Sequence, residues 1–291
     1  MENKFKGTGV AIVTPFANDG SVDYSALDRL LAHLLSGQVD FIVALGTTSE
    51  AVTLTAQEKS DVMDFVKSRI VGRIPLVMGL GGNNTQAVLD QLASNDFRGI
   101  DAILSVAPYY NKPNQRGLFA HFAAIAQVSP VPIILYNVPG RTSSNLTAET
   151  TVKLAATFDN IVAVKEASGN MEQIMEIIRN RPTGFLVLSG DDALTLPMMA
   201  LGSDGVISVL ANVLPAEFTN MVNFCLENKM DEARKLHYQV LPVIDLLFAD
   251  GNPAGIKAAL NIRGICENSL RLPMVPVQQD VFQGLQKLLS Q

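Results

Sequence analysis

One pattern limits what this chain can fold into more than any other. A short apolar run followed by a stretch with apolar residues at helical spacing recurs eight times between residues 8 and 228. The runs are TGVAIVTPF (8–16), FIVALGTT (41–48), IPLVMGLG (74–81), DAILSVAPYY (101–110), PIILYNVP (132–139), IVAVKEA (161–167), FLVLSGDD (185–192) and GVISVLAN (205–212). The spacing predicts helices over 25–37, 56–70, 85–95, 117–127, 147–158, 171–180, 193–202 and 215–228. Continuous apolar runs suit parallel strands covered on both faces. Eight strand–helix units, each a right-handed crossover, predict an α/β chain closed into a (β/α)8 TIM barrel. A doubly wound open sheet is the competing architecture. It would carry a glycine-rich phosphate loop after its first strand, where this chain has TPFANDG, and the later GLGGNN (79–84) lacks the GK[ST] of a P-loop. Beyond residue 229 the strands stop, and helices are predicted over 230–250, 253–265 and 277–290. The expected division is a catalytic barrel over 1–229 and a C-terminal helical domain over 230–291, packed on the barrel's outside or on a partner.

Composition narrows the function classes. Charged residues make up 17% of the 291, below the usual share of about 25%, which points to a large core or an oligomer interface. A net charge of −6 without a Lys/Arg cluster leaves no footprint for nucleic acid. The N-terminal residues do not read as a signal peptide, and no run of about 18 apolar residues exists. The expectation is a cytoplasmic protein with no membrane partner. Cys225 and Cys266 form no CxxC and read as buried small hydrophobes. His33, His121 and His237 lie far apart on predicted helices, where surface or interface roles are expected. No metal-ligand spacing is present, so no metal is expected.

In a barrel of this kind, chemistry collects at the C-terminal ends of the strands. Those ends read GTTSE, PYYNKP, YNVPGRT, KEASG, SGDD and GVISV. Lys165 closes an apolar run, where a charge should be avoided. A desolvated lysine loses part of its preference for the ammonium form, and the neutral amine can attack a ketone to form a Schiff base. The competing reading is an ion pair with Glu166, although adjacent strand residues point to opposite faces. Tyr136 and Tyr110 could relay protons or simply pack with satisfied hydroxyls. Thr47 and Thr48 sit on a glycine-containing turn that could hold a carboxylate or be an ordinary turn. Arg141 follows a VPG turn, and its planar fork suits a carboxylate, as well as a plain surface position. Asp191 and Asp192 are expected in structural or supporting roles, because no metal-ligand companions accompany them.

Taken together, GTTSE, PYYNKP, YNVPGRT, VKEASGN and GVISV, in that order, resemble the dihydrodipicolinate synthase family. That family is a branch of the pyruvate-dependent class I aldolases, the N-acetylneuraminate lyase-like superfamily. The similarity extends into the helical tail through GNPAGIKAAL and LRLPMVP. It implies a lyase that condenses pyruvate with L-aspartate 4-semialdehyde in diaminopimelate and lysine biosynthesis. The resemblance assigns Lys165 as the Schiff-base amine, Tyr136 as proton shuttle, and Thr47 as the link from Tyr136 to Tyr110. It gives Thr48 the pyruvate carboxylate and Arg141 the carboxylate of the semialdehyde. Gly190 and Ile207 would line the pyruvate pocket through their backbones. No cofactor is implied beyond the covalent lysine–pyruvate adduct. Tyr110 would enter the site of a neighbouring subunit, in a homotetramer built as a dimer of dimers.

The chain departs from the family pattern in places. Ser49 stands where many members have glycine, with little consequence unless that position needs a positive φ. Ala56, Lys59 and Ala87 replace the histidine, histidine and glutamate of lysine-inhibited members, while Asn83 and Tyr109 match that regulatory pocket. Weak or absent inhibition by L-lysine is expected. Sister aldolases (N-acetylneuraminate lyase, 2-keto-3-deoxy sugar acid aldolase) share the lysine and the tyrosine. Arg141 with Tyr109 and Tyr110 favours an acidic aldehyde over a polyhydroxylated one. A non-catalytic keto-acid-binding barrel is the reading from another class, and the complete Lys165–Tyr136–Thr47 set argues against it.

Overall fold

The computed structural model describes residues 4–70 and 72–290. Eight parallel strands close into one barrel in sequence order: β1 (Gly7–Ala11), β2 (Phe41–Ala44), β3 (Leu76–Gly79), β4 (Ala102–Val106), β5 (Ile133–Asn137), β6 (Ile161–Glu166), β7 (Leu186–Ser189) and β8 (Gly205–Ser208). Closure occurs through β1 and β8, with Gly9 opposite Ile207. The strands are shorter than the apolar runs that announced them. TGVAIVTPF is strand only to Ala11, and DAILSVAPYY only from Ala102 to Val106. Past the rim of the barrel the runs lose their neighbours and turn, although Ile12, Val13 and Phe16 stay buried.

Alternation along each strand separates two cores. On β5, Ile134 and Tyr136 face the barrel interior, while Ile133 and Leu135 join the layer beneath the helices. On β6 the interior takes Ala163, and Val164 faces out. The outer helices begin at polar caps. Asp23, Asn84, Asn114, Thr147 and Asn170 each accept from the backbone N–H three residues on, satisfying a donor that the helix leaves unpaired. The helix predicted over 193–202 is only Thr195–Ala200. The residues before it form a turn in which the Asp191 carboxylate accepts from Ala193 and Leu194 N–H.

The chain continues as helices Met230–Ala249, Ala254–Ile262 and Gln279–Leu289. The first runs its full length despite Pro242. Cys225 and Cys266 are free and buried, as expected. The histidines correct the sequence reading. His121 and His237 are 4% and 6% exposed, inside the helix layer rather than on the surface. His121 Nδ1 lies 2.8 Å from the Thr85 hydroxyl, and burial brings its pKa down to about 4. Periodicity fixes that such residues lie on helices, but the face they occupy depends on which helix packs beside them. No helix is long and apolar enough to cross a membrane among the described residues.

Candidate active site

Register across β4, β5 and β6 places the key side chains. Val106 lies opposite Tyr136, and Tyr136 opposite Lys165. The Lys165 side chain therefore enters the barrel interior, with Nζ 4.5 Å from the centre of the Tyr136 ring. Glu166, one residue on, faces the other way. Its carboxylate accepts from Asn137 Nδ2 at 3.0 Å, Gln173 Nε2 at 3.2 Å and the Ser168 N–H at 2.8 Å. The ion-pair reading of Lys165 with Glu166 is thereby excluded by the pleat. Among the described residues Lys165 makes no ion pair.

Burial dominates the electrostatics. Removal from water brings the Lys165 amine down to about 8, with Arg141 adding to the drop and Asp192 opposing it. The same desolvation lifts the Tyr136 phenol to about 12, against the pull of Arg141 and of a hydrogen bond with Thr47. Near neutral pH the phenol keeps its proton, and the amine, though mostly ammonium, has a far larger neutral fraction than an ordinary lysine. That pairing suits nucleophilic attack with a proton donor alongside.

A cavity of about 230 Å³ opens at the C-terminal mouth of the barrel. Of the sequence-predicted residues it brings together Thr47, Thr48, Tyr136, Arg141, Lys165 and Gly190, with Asp191 also on its border. Val43, Leu104 and Val138 supply apolar wall. Thr47 and Thr48 lie in the one-turn 3-10 helix Thr47–Ser49, and Arg141 in the four-residue helix Pro139–Thr142. Both short elements follow strands and were not predicted. Gly190 has to be glycine for a spatial reason. A Cβ there would lie 2.7 Å from Ala167 Cβ and 3.0 Å from Lys165 Cε, so the lysine chain lies where a side chain would go. Ser49 does not adopt a positive φ. Its hydroxyl donates to the Ile12 carbonyl at 2.6 Å, so serine ties the turn to the end of β1.

Two expected residues lie apart. Ile207 is buried on β8 inside the barrel but does not border the cavity. Tyr110 is 88% exposed, with φ of 72°, and does not border the cavity. Asp192 is buried beside the site. One carboxylate oxygen accepts from the N–H groups of Val209 and Leu210, at 3.0 and 2.8 Å, which fixes the turn after β8.

The sequence reading missed the contribution of the tail. Phe248 and Asn252 border the cavity, and Asn252 Nδ2 donates to Thr48 Oγ1 at 2.9 Å. Nothing in the periodicity flags a contact between residues 204 positions apart. The only hint was the polar GNP interruption between two helical stretches. Among the described residues no group of three or more His, Cys, Asp or Glu could hold a metal ion.

A closed parallel barrel with polar and titratable side chains gathered at the C-terminal mouth defines the class: a (β/α)8-barrel enzyme. Residues 4–291 match the sequence model of the Dihydrodipicolinate synthetase family, and the chain belongs to that family. It is 51% identical over 286 residues to the 4-hydroxy-tetrahydrodipicolinate synthase of Parabacteroides distasonis, covering 98% of this chain and 96% of that one. The crystal structure of dihydrodipicolinate synthase from Aquifex aeolicus superposes with a TM-score of 0.94 at 43% identity, over 98% of this chain and 97% of that one. The chloride-inhibited dihydrodipicolinate synthase from Acinetobacter baumannii, complexed with pyruvate, gives 0.94 at 36% identity over 98% of each chain.

Proposed function

We propose that this chain is a 4-hydroxy-tetrahydrodipicolinate synthase, condensing pyruvate with L-aspartate 4-semialdehyde in the cytoplasmic route to diaminopimelate and lysine. One observation carries the reading: a buried strand lysine without an ion-pair partner among the described residues, set against a protonated phenol in a small cavity bordered by an arginine. The neutral Lys165 amine attacks the pyruvate ketone carbon, and the carbinolamine loses water to give the iminium. Tyr136 donates and recovers the protons of those steps, with Thr47 hydrogen-bonded to its phenol. The iminium acidifies the pyruvate methyl group, and loss of a proton yields the enamine. The enamine carbon then bonds to the aldehyde carbon of the semialdehyde; the C=O π bond opens, its oxygen takes up a proton to become the hydroxyl, and the iminium re-forms on Lys165. Finally the amino group of that substrate adds to the iminium carbon and displaces Lys165, which leaves as the free amine while the ring closes. The iminium itself is the electron sink, so the reading requires no metal or organic cofactor.

Thr48 takes the pyruvate carboxylate, Arg141 that of the semialdehyde, and Gly190 and Ile207 shape the pyruvate pocket. The exposure of Tyr110 supports its insertion into a neighbour's site, within a homotetramer made of two dimers. Residues 1–229 act as the catalytic barrel and 230–291 as a helical domain that completes its mouth.

Borohydride reduction in the presence of pyruvate tests the chemistry. The expected result is a covalent mass increase on Lys165, and an unchanged mass overturns the reading. Parallel assays with aspartate semialdehyde and with N-acetylneuraminate separate this activity from the sister aldolases. Arg141→Ala should raise the KM for the semialdehyde about 10- to 100-fold while leaving borohydride trapping of pyruvate intact.

A further inference from the structure

The turn that carries Thr47 and Thr48 is gripped from the far end of the chain. The 3-10 turn Thr47–Ser49 ends at Glu50, a non-glycine residue with φ of 52°. Left-handed backbone at a residue with a long side chain persists only where its surroundings over-determine it. Here the carboxylate supplies that constraint. Glu50 Oε1 lies 2.5 Å from Lys257 Nζ, and Oε2 accepts from the Arg271 N–H at 3.1 Å. Lys257 is fully buried, donates to the Ser269 carbonyl at 2.9 Å and sits 4.0 Å from the centre of the Phe16 ring. A second joint lies five residues earlier on the tail, where Asn252 Nδ2 donates to Thr48 Oγ1. Residues 252 and 257 thus meet residues 48 and 50.

The direction of the second joint has a chemical consequence. A threonine hydroxyl rotates freely and can donate to any nearby acceptor. The Asn252 amide occupies an acceptor lone pair of Thr48, which leaves the Thr48 O–H to donate elsewhere. Thr48 and Asn252 both border the cavity. A hydroxyl held in this sense is a donor for an anionic group there.

We propose that the segment Asn252–Lys257 is a clasp that sets the hydrogen-bond donors of the Thr47–Thr48 turn for an incoming keto-acid carboxylate. Asn252 and Lys257 are then positioning residues: Asn252 orients the Thr48 hydroxyl, and Lys257 holds Glu50 and with it the turn. This rests on the reading of Thr48 as the pyruvate carboxylate's receptor.

Steady-state kinetics with both substrates, alongside borohydride trapping and a thermal melt, test the clasp on the full chain. Asn252→Asp keeps the shape but turns the amide into an acceptor that captures the Thr48 proton and adds negative charge. It should raise the pyruvate KM about 10- to 100-fold while shifting the semialdehyde KM less than about twofold. Glu50→Gln combined with Lys257→Met removes both charges together, so neither is left buried alone. That pair should raise the pyruvate KM about 10-fold, with the adduct still forming on Lys165 at saturating pyruvate. A variant that melts as the parent does and keeps the parent's pyruvate KM overturns the clasp, and so does a parallel rise in both KM values. Should the double variant fail to fold, Asn252→Asp decides. Failure of the functional reading is separate: there the unaltered protein itself gives no borohydride adduct with pyruvate.

Discussion

Two lysines lie deep in this molecule, and they have been put to opposite ends. Lys165 and Lys257 are 5% and 0% exposed, and each holds its amine over an aromatic ring, Tyr136 at 4.5 Å and Phe16 at 4.0 Å. Burial depresses the pKa of both. They differ in what meets the nitrogen. Lys257 touches the Glu50 carboxylate and a backbone carbonyl, so its ammonium form is compensated at close range and the residue ties two segments together. Lys165 meets apolar wall and a phenol, and no carboxylate forms an ion pair with it among the described residues. Burial alone therefore does not make a lysine reactive. Burial without a contacting anion makes the neutral amine easier to reach, because nothing close by compensates the ammonium form.

The contrast is breakable. Lys165→Met should abolish borohydride trapping and cut condensation activity by at least about 10³-fold, with thermal stability equal to or above the parent's. A melting temperature well below the parent's would show that Lys165 is structural after all. Lys257→Met, read by denaturant unfolding, should cost about 3–5 kcal/mol, since it leaves the Glu50 carboxylate buried without its partner. Whatever fraction stays folded should still be labelled on Lys165. A pyruvate adduct on Lys257 at any pH would erase the distinction. Gly190→Ala forces the Lys165 chain out of its track and should slow adduct formation about 10- to 100-fold with little loss of binding at saturating pyruvate. The smallest effect concerns pH. Adduct formation should rise with pH through about 8 and then level off, because the deprotonated amine is the nucleophile. Asp192 favours the ammonium form, so Asp192→Asn should move that inflection to lower pH by about half to one unit. The same depression has a stability counterpart. Between about 8 and the ordinary lysine value of 10.5 the unfolded chain binds more protons at this residue, so its contribution to stability grows as pH rises through that window.

Much of this was legible in the one-dimensional chain. Eight buried apolar runs separated by amphipathic stretches leave few packings that cover every strand on both faces, and the closed barrel is the one adopted. The two-residue period of a strand was enough to put Lys165 and Glu166 on opposite faces, and register against β5 then sent the lysine inward. The Ser49 question resolved without strain, because the left-handed residue is Glu50, one position on. The histidines resisted such reasoning. A helix's inner face is set by its neighbours, and His121 and His237 were assigned the wrong side.

By itself, then, the sequence determined the barrel, the strand on which Lys165 stands and its separation from Glu166 across the pleat, since these follow from local periodicity. Only the tertiary structure decided what the amine meets when it gets there. Among the described residues it left Lys165 without an ion-paired carboxylate, gave Lys257 to Glu50, and brought Asn252 to Thr48 across 204 residues of chain. Such pairings depend on how distant segments pack. No periodicity encodes them, yet they set whether a buried nitrogen is a nucleophile or a fastening.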